Sequence, residues 1–203
     1  MPRVAGQIDL AKNEAILDAA ADMFAERGLA VGMEDVARRA CVSKQTIYNH
    51  YGSKAELVRA LATRRVMEIT AGLDRPGAVE DPHATLAAFG RELLDGLFTP
   101  RSRRWARLTI IGATDWPEVA ATLHEAGSRA SGRRLAQFLT LEHEAGRLTI
   151  PDPEQAAGFF VAMVIGPFQM PSLLGVQTTL GDDEIEATAR EAASRFLRAY
   201  ARL

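Results

Sequence analysis

Apolar residues recur along this chain at three- and four-residue spacing, the period of helices that turn one side to a core. Ile16, Ala20 and Phe24 make the inner stripe of a first helix, from about Leu10 to Arg27, which Gly28 stops. Met33, Val36, Ala37 and Ala40 mark a short second helix, and Ile47 and Tyr51 the inner side of a third. Leu57, Leu61 and Ile69 carry a fourth to about Gly72, where Asp74-Arg75-Pro76-Gly77 breaks the chain. Beyond it, Asp81-Pro82 starts a helix with Leu86, Phe89, Leu93, Leu94 and Leu97 inside and Pro100 at its end. Asp115-Trp116-Pro117-Glu118 opens a long helix through Val119, Leu123, Leu135, Phe138 and Leu139 that closes before Gly146. The expected fold is all-α. A three-helix N-terminal domain over residues 1–56 precedes an antiparallel helical bundle that dimerises over 57–203, the helix from Ser53 bridging onward.

The stretch from Gly32 to Leu57 has the pattern of a helix-turn-helix. Ala40-Cys41-Val42-Ser43 is a tight break, and the Ser43 hydroxyl is placed to accept a free amide at the start of the next helix. Gly52 suits a C-terminal cap of positive φ, and Ser53-Lys54-Ala55-Glu56 reads as a capping box that launches the following helix. With Ile47 and Tyr51 inward, Gln45, Thr46, Tyr48 and Asn49 point outward. No acidic residue falls between Val42 and Ala55, whereas Lys44, His50 and Lys54 do. Glutamine and asparagine amides pair with adenine N6 and N7 in a major groove. Lysines, the Thr46 hydroxyl, the Tyr48 phenol and free amides at helix starts suit phosphate oxygens. The interface residues expected on this basis are Gly32, Met33, Ser43, Lys44, Gln45, Thr46, Tyr48, Asn49, His50 and Lys54.

Ile16-Leu17-Asp18-Ala19-Ala20, Met23-Phe24-Ala25-Glu26-Arg27-Gly28, Asp35-Val36-Ala37, Val42-Ser43-Lys44, Thr46-Ile47-Tyr48-Asn49-His50-Tyr51, Lys54 and Leu57 resemble the DNA-binding domain of TetR (tetracycline-repressor-like) regulators. The resemblance covers roughly residues 10 to 60. It departs at Cys41, where the turn usually carries glycine, and at Gly32, where a hydroxyl residue usually stands. It implies a transcriptional regulator that binds a palindromic operator as a homodimer through its last two helices. It further implies a bundle whose interior holds a small-molecule effector, and a repressor that the effector releases.

A net charge of −2 on 203 residues is at odds with a DNA-binding role until it is divided. Residues 1 to 65 hold ten basic and eight acidic side chains, a balance of +2, and the remainder 14 against 18, a balance of −4. The single cysteine, Cys41, excludes an intramolecular disulfide, fits a cytoplasmic location, and reads as a small packed hydrophobe on the inner side of the turn. The N-terminus does not have the pattern of a signal peptide. Arg3 there could extend an arm to DNA, though a frayed end fits its composition better. Arg101, Arg103, Arg104 and Arg107 around Trp105 read as a solvated, salt-bridged face, and His124 and His143 lack a second spaced metal ligand. No metal-spaced Cys/His set, phosphate-binding glycine loop or His-Glu-x-x-His occurs, so no metal, cofactor or enzymatic activity is expected.

Ala156 to Gly181 carries no charge. It is interrupted by Gly158, Gly166-Pro167, Gln169, Pro171, Ser172, Gly175 and Gln177, which favours a wholly buried, kinked helix over a membrane span. The last helix starts on Asp182, Asp183 and Glu184 and ends among Arg195, Arg198 and Arg202, the polarity a helix dipole favours. Its stripe of Ile185, Ala189, Ala192 and Phe196 is expected to form the dimer interface. Phe89, Leu93, Trp105, Phe138, Phe159, Met163, Phe168 and Met170 are candidate linings for a largely apolar effector.

Overall fold

In the computed structural model the described residues are 10–176 and 179–202, and the Arg3 and Gln177 readings fall outside them. They form ten α-helices: α1 (Leu10–Arg27), α2 (Met33–Arg39), α3 (Lys44–Tyr51), α4 (Lys54–Thr70), α5 (Pro82–Leu97), α6 (Pro100–Gly112), α7 (Pro117–His124), α8 (Ala130–Glu144), α9 (Pro153–Leu174) and α10 (Asp182–Ala199). The expected long helix after Trp116 is α7 and α8 joined through a five-residue π-helical turn at Glu125–Arg129, where Gly127 and Ser128 are poor helix formers.

The chain divides into two compact units, one of residues 1–64 with 104–127 and one of 65–103 with 128–203. In the first, the apolar stripes of α1, α2, α3 and the start of α4 close on one core that includes Ile16, Phe24, Val36, Ile47 and Leu57, with Val119 of α7. Gly28 ends α1 with φ 66°, and a Cβ there would lie 2.8 Å from Leu108 Cβ, so glycine is required for α6 to pack this closely. Arg64 of α4 reaches back to Glu14 at 2.8 Å and Asp18 at 2.9 Å on α1.

In the second unit α5 packs chiefly on α10, and α8 on α9. Asp81 and Asp152 cap α5 and α9 by accepting the amides of Ala84 and Gln155, each at 2.9 Å. Leu86, Phe89, Leu93, Leu135, Leu139, Phe160, Val164 and Phe196 fill the interior. Leu97, expected inside, is exposed at the end of α5. The larger departure is α9. Ala156, Ala157, Phe160, Val164, Phe168 and Ser172 are buried along one face, but Phe159, Met170 and Leu174 are 53%, 60% and 69% exposed. The helix is apolar all round, whereas α5, α8 and α10 cover only one side of it. By length and composition α9 is also long and apolar enough to cross a membrane.

Candidate nucleic-acid interface

The candidate interface lies at the join of α2 and α3. Val42 N–H donates to Ala37 O at 2.9 Å and Cys41 N–H to Arg38 O at 3.2 Å, the paired bonds of a Schellman ending. That ending needs a left-handed residue, and Cys41 supplies it at φ 54°. The Cys41 side chain is exposed, not packed as its apolar character suggested. The turn carries residue 41 outward, and Val42 is the side chain that packs on the core. Ser43 then starts α3, its Oγ accepting Thr46 N–H at 3.0 Å and lying 2.8 Å from Thr46 Oγ1. Gly52 ends the helix at φ 70°.

Ile47 and Tyr51 are buried, so α3 is held by one face and presents the other. On that outer face the amide of Gln45 donates to Asn49 Oδ1 at 2.5 Å. Lys44 pairs with Glu34 of α2 and lies 5.8 Å above the Tyr48 ring. The Glu34 hydrogen bond and charge hold the Lys44 ammonium above the usual lysine range. Tyr48 is exposed, and Thr46 is half-buried. The next residues are tied inward. His50 Nε2 is 3.0 Å from Asn13 Oδ1, which also accepts the Tyr51 hydroxyl at 2.6 Å. Burial and the nearby Glu14 charge push the Tyr51 phenol up to about 12. Lys54 Nζ donates to Leu29 O at 2.6 Å and lies 3.3 Å from the Trp116 ring centroid.

Gly32 is the backbone cap of α2 and makes no side-chain bond. Met33 is only 6% exposed, so it belongs to the core and not to the interface, because the first turn of α2 buries its apolar side. The sequence reading did not single out Arg38 and Arg39, two exposed cations in the last turn of α2 beside the turn. Their adjacency at a helix end was the available signal.

The other expected sites are distributed differently from expectation. Phe89, Leu93, Phe138 and Phe168 are buried in the second unit's core, with Met163 partly buried against it. Phe168 lines a small space shared with Phe98, Arg103, Ser172, Thr179 and Leu180. Phe159 and Met170 are exposed, and Phe159 and Met163 line an open surface groove with Ala162, Ala199 and Tyr200. Trp105 packs in the first unit, stacked on Phe24 at 5.9 Å, so it is not part of that lining. Ile185, Ala189, Ala192 and Phe196 are buried within the protomer, where Ala189 approaches Gly90 of α5 closely; side chains enclosed there cannot meet a second chain.

Residues 16–61 match the family of bacterial regulatory proteins, tetR family, and residues 84–202 match the AefR-like transcriptional repressor, C-terminal domain. The HTH-type transcriptional repressor KstR2 of Mycobacterium tuberculosis is 45% identical over 62 residues, 30% of this chain and 30% of that protein. The matched part of the chain thus spans about a third of that relative's length. A TetR transcriptional regulator from Agrobacterium tumefaciens has a similar structure, with a TM-score of 0.76, 28% identity and 94% coverage of both chains. The Flavonoid-responsive Regulator FrrA is similar with a TM-score of 0.71 and 28% identity, over 95% of this chain and 98% of its own.

Proposed function

The chain belongs to the TetR family of DNA-binding transcriptional regulators, which are not enzymes, and from that premise we propose that it represses by holding a palindromic operator as a homodimer until a small, largely apolar effector releases it. The observation that carries the DNA half is the outer face of α3. Gln45 and Asn49 bond to each other through one donor and one acceptor, which leaves an acceptor on Gln45 and a donor on Asn49. That is the complement of adenine's N6 and N7 in the major groove. Lys44, with its exposed partner Glu34, can exchange a surface ion pair for a phosphate at little cost. Tyr48 is exposed on α3, and Arg38 and Arg39 add two exposed cations in the last turn of α2.

A single reading helix holds one half-site, and helix-turn-helix proteins read two about 34–36 Å apart as dimers. The dimer face we assign is α9 with the end of α10. Gly158, Ala162 and Gly166 recur every four residues on its exposed side, and a Cβ on either glycine would meet nothing within 4 Å. Such a ridge lets an identical helix approach closely, and Phe159, Met170 and Leu174 beside it supply apolar area to bury. This covering also accounts for the uncharged stretch of α9 from Ala156 onward without invoking a membrane.

The effector half is supported by the name of FrrA, a relative in structure that is flavonoid-responsive. The space beside Phe98 and Phe168 holds only about 10 Å³, so the bundle must open around it to admit a ligand, and α4, which contributes residues to both units, is the element whose movement would carry the effect. Reciprocal coupling of about 1–3 kcal/mol is enough to switch occupancy. The close packing of Phe89, Leu93 and Phe138 favours a second reading, a bundle that only dimerises.

Titrating the DNA that flanks the protein's own coding region tests both. Two chains per palindrome at low salt, and release by an apolar compound that also raises the melting temperature, is the expected result. No binding at low salt overturns the regulator reading, and binding that no compound in a broad apolar library weakens leaves the second reading standing.

A further inference from the structure

Lys54 opens α4 three residues after the reading helix ends, a position that by sequence belongs against a phosphate. The structure turns its charge inward. Its ammonium donates to Leu29 O at 2.6 Å and sits 3.3 Å from the Trp116 ring centroid. Burial lowers its affinity for the proton, and the Glu118 carboxylate opposes that effect. All four groups lie in the same compact unit. Trp116 caps the start of α7, is 37% exposed and is not part of the unit's apolar core, so core packing does not account for an indole there. An aromatic face against a partly desolvated ammonium does account for it.

We propose that Trp116 is a positioning residue for operator binding: it cages the Lys54 ammonium and withholds it from the DNA backbone, so that moving the start of α7 adds one phosphate contact per chain. This rests on the regulator reading above. Residues 104–127 pack with the helix-turn-helix, and the cage gives that segment a direct hold on the strength of DNA binding without touching the base-reading face.

The test is the salt dependence of operator affinity for the full-length protein. Each phosphate contact contributes about −0.9 to the slope of log K against log salt. Trp116→Leu is expected to steepen the slope by about 1.8 for a dimer and to tighten binding at low salt. Trp116→Phe, which keeps a ring, is expected to hold the wild-type slope, and Lys54→Gln alone to leave it unchanged. In the double variant Trp116→Leu with Lys54→Gln, the gain is expected to vanish. A Trp116→Leu slope equal to wild type overturns the cage, as does a steepening that persists without Lys54. A Lys54→Gln slope flatter than wild type would mean the ammonium already meets a phosphate, and overturns it too. Absence of any operator binding by the wild-type protein overturns the regulator reading and the cage with it. Melting curves of each variant distinguish a change in slope from partial unfolding.

Discussion

The amide of Gln45 donates to the amide oxygen of Asn49 at 2.5 Å, across one turn of α3. The two base-reading candidates are therefore one hydrogen-bonded unit before DNA arrives, pre-set in orientation. Gln45→Ala and Asn49→Ala should each lose about 1–3 kcal/mol of discrimination at one base pair, and the double variant should lose less than the sum. Competition binding with single-base operator variants measures this. Equal weakening on cognate and random DNA would show that neither side chain reads a base.

Cys41 holds a left-handed backbone that costs a side-chain-bearing residue about 1–2 kcal/mol. Cys41→Gly should relieve part of that and raise stability by up to about 1 kcal/mol, the unfolded chain's added freedom offsetting the rest. Two residues on, Ser43→Ala should cost about 1 kcal/mol, because Thr46 N–H then loses its acceptor. Chemical denaturation of the two variants should give shifts of opposite sign.

Burial holds the Tyr51 phenol at about 12, above its unfolded value near 10. The folded state therefore binds this proton more tightly than the unfolded one. Its contribution to stability is complete below about pH 10 and is lost as pH rises towards about 12. Tyr51→Phe should be less stable at neutral pH, having lost the bond to Asn13, and should flatten the alkaline fall. Unfolding free energies measured alongside phenolate absorbance check both.

Phe159 and Phe160 are neighbours on α9 with opposite surroundings, 53% and 0% exposed. Phe159→Arg should leave the protomer folded but turn a dimer into a monomer in sedimentation, with operator affinity falling accordingly. Phe160→Ala should instead cost about 3–5 kcal/mol of folding stability. A Phe159→Arg protein that remains dimeric would move the interface off this face.

Local chemistry was legible in the chain. The bounds of α1 and α3, the Ser43 and Asp81 caps and the glycines at 28 and 52 depend on residues within a few positions of one another, and the structure has each where the pattern places it. The inward faces of α2 and α3 were legible for the same reason, since a helical period alone selects them. Lys54 was harder to read. Its partners Leu29 and Trp116 lie 25 and 62 positions away, and no periodic signal links them.

By itself the sequence determined which side of most helices is apolar and where α1 and α3 start and stop, because those follow from spacing and from amides that must find acceptors nearby. Which neighbour covers an apolar side was decided only by tertiary structure. The stripe of α10 is spent on α5, α9 keeps an apolar face uncovered, and Trp105 joins the N-terminal unit. The physical reason is that burial of apolar area is non-directional. A stripe records that it must be buried, and only the packed chain settles against what.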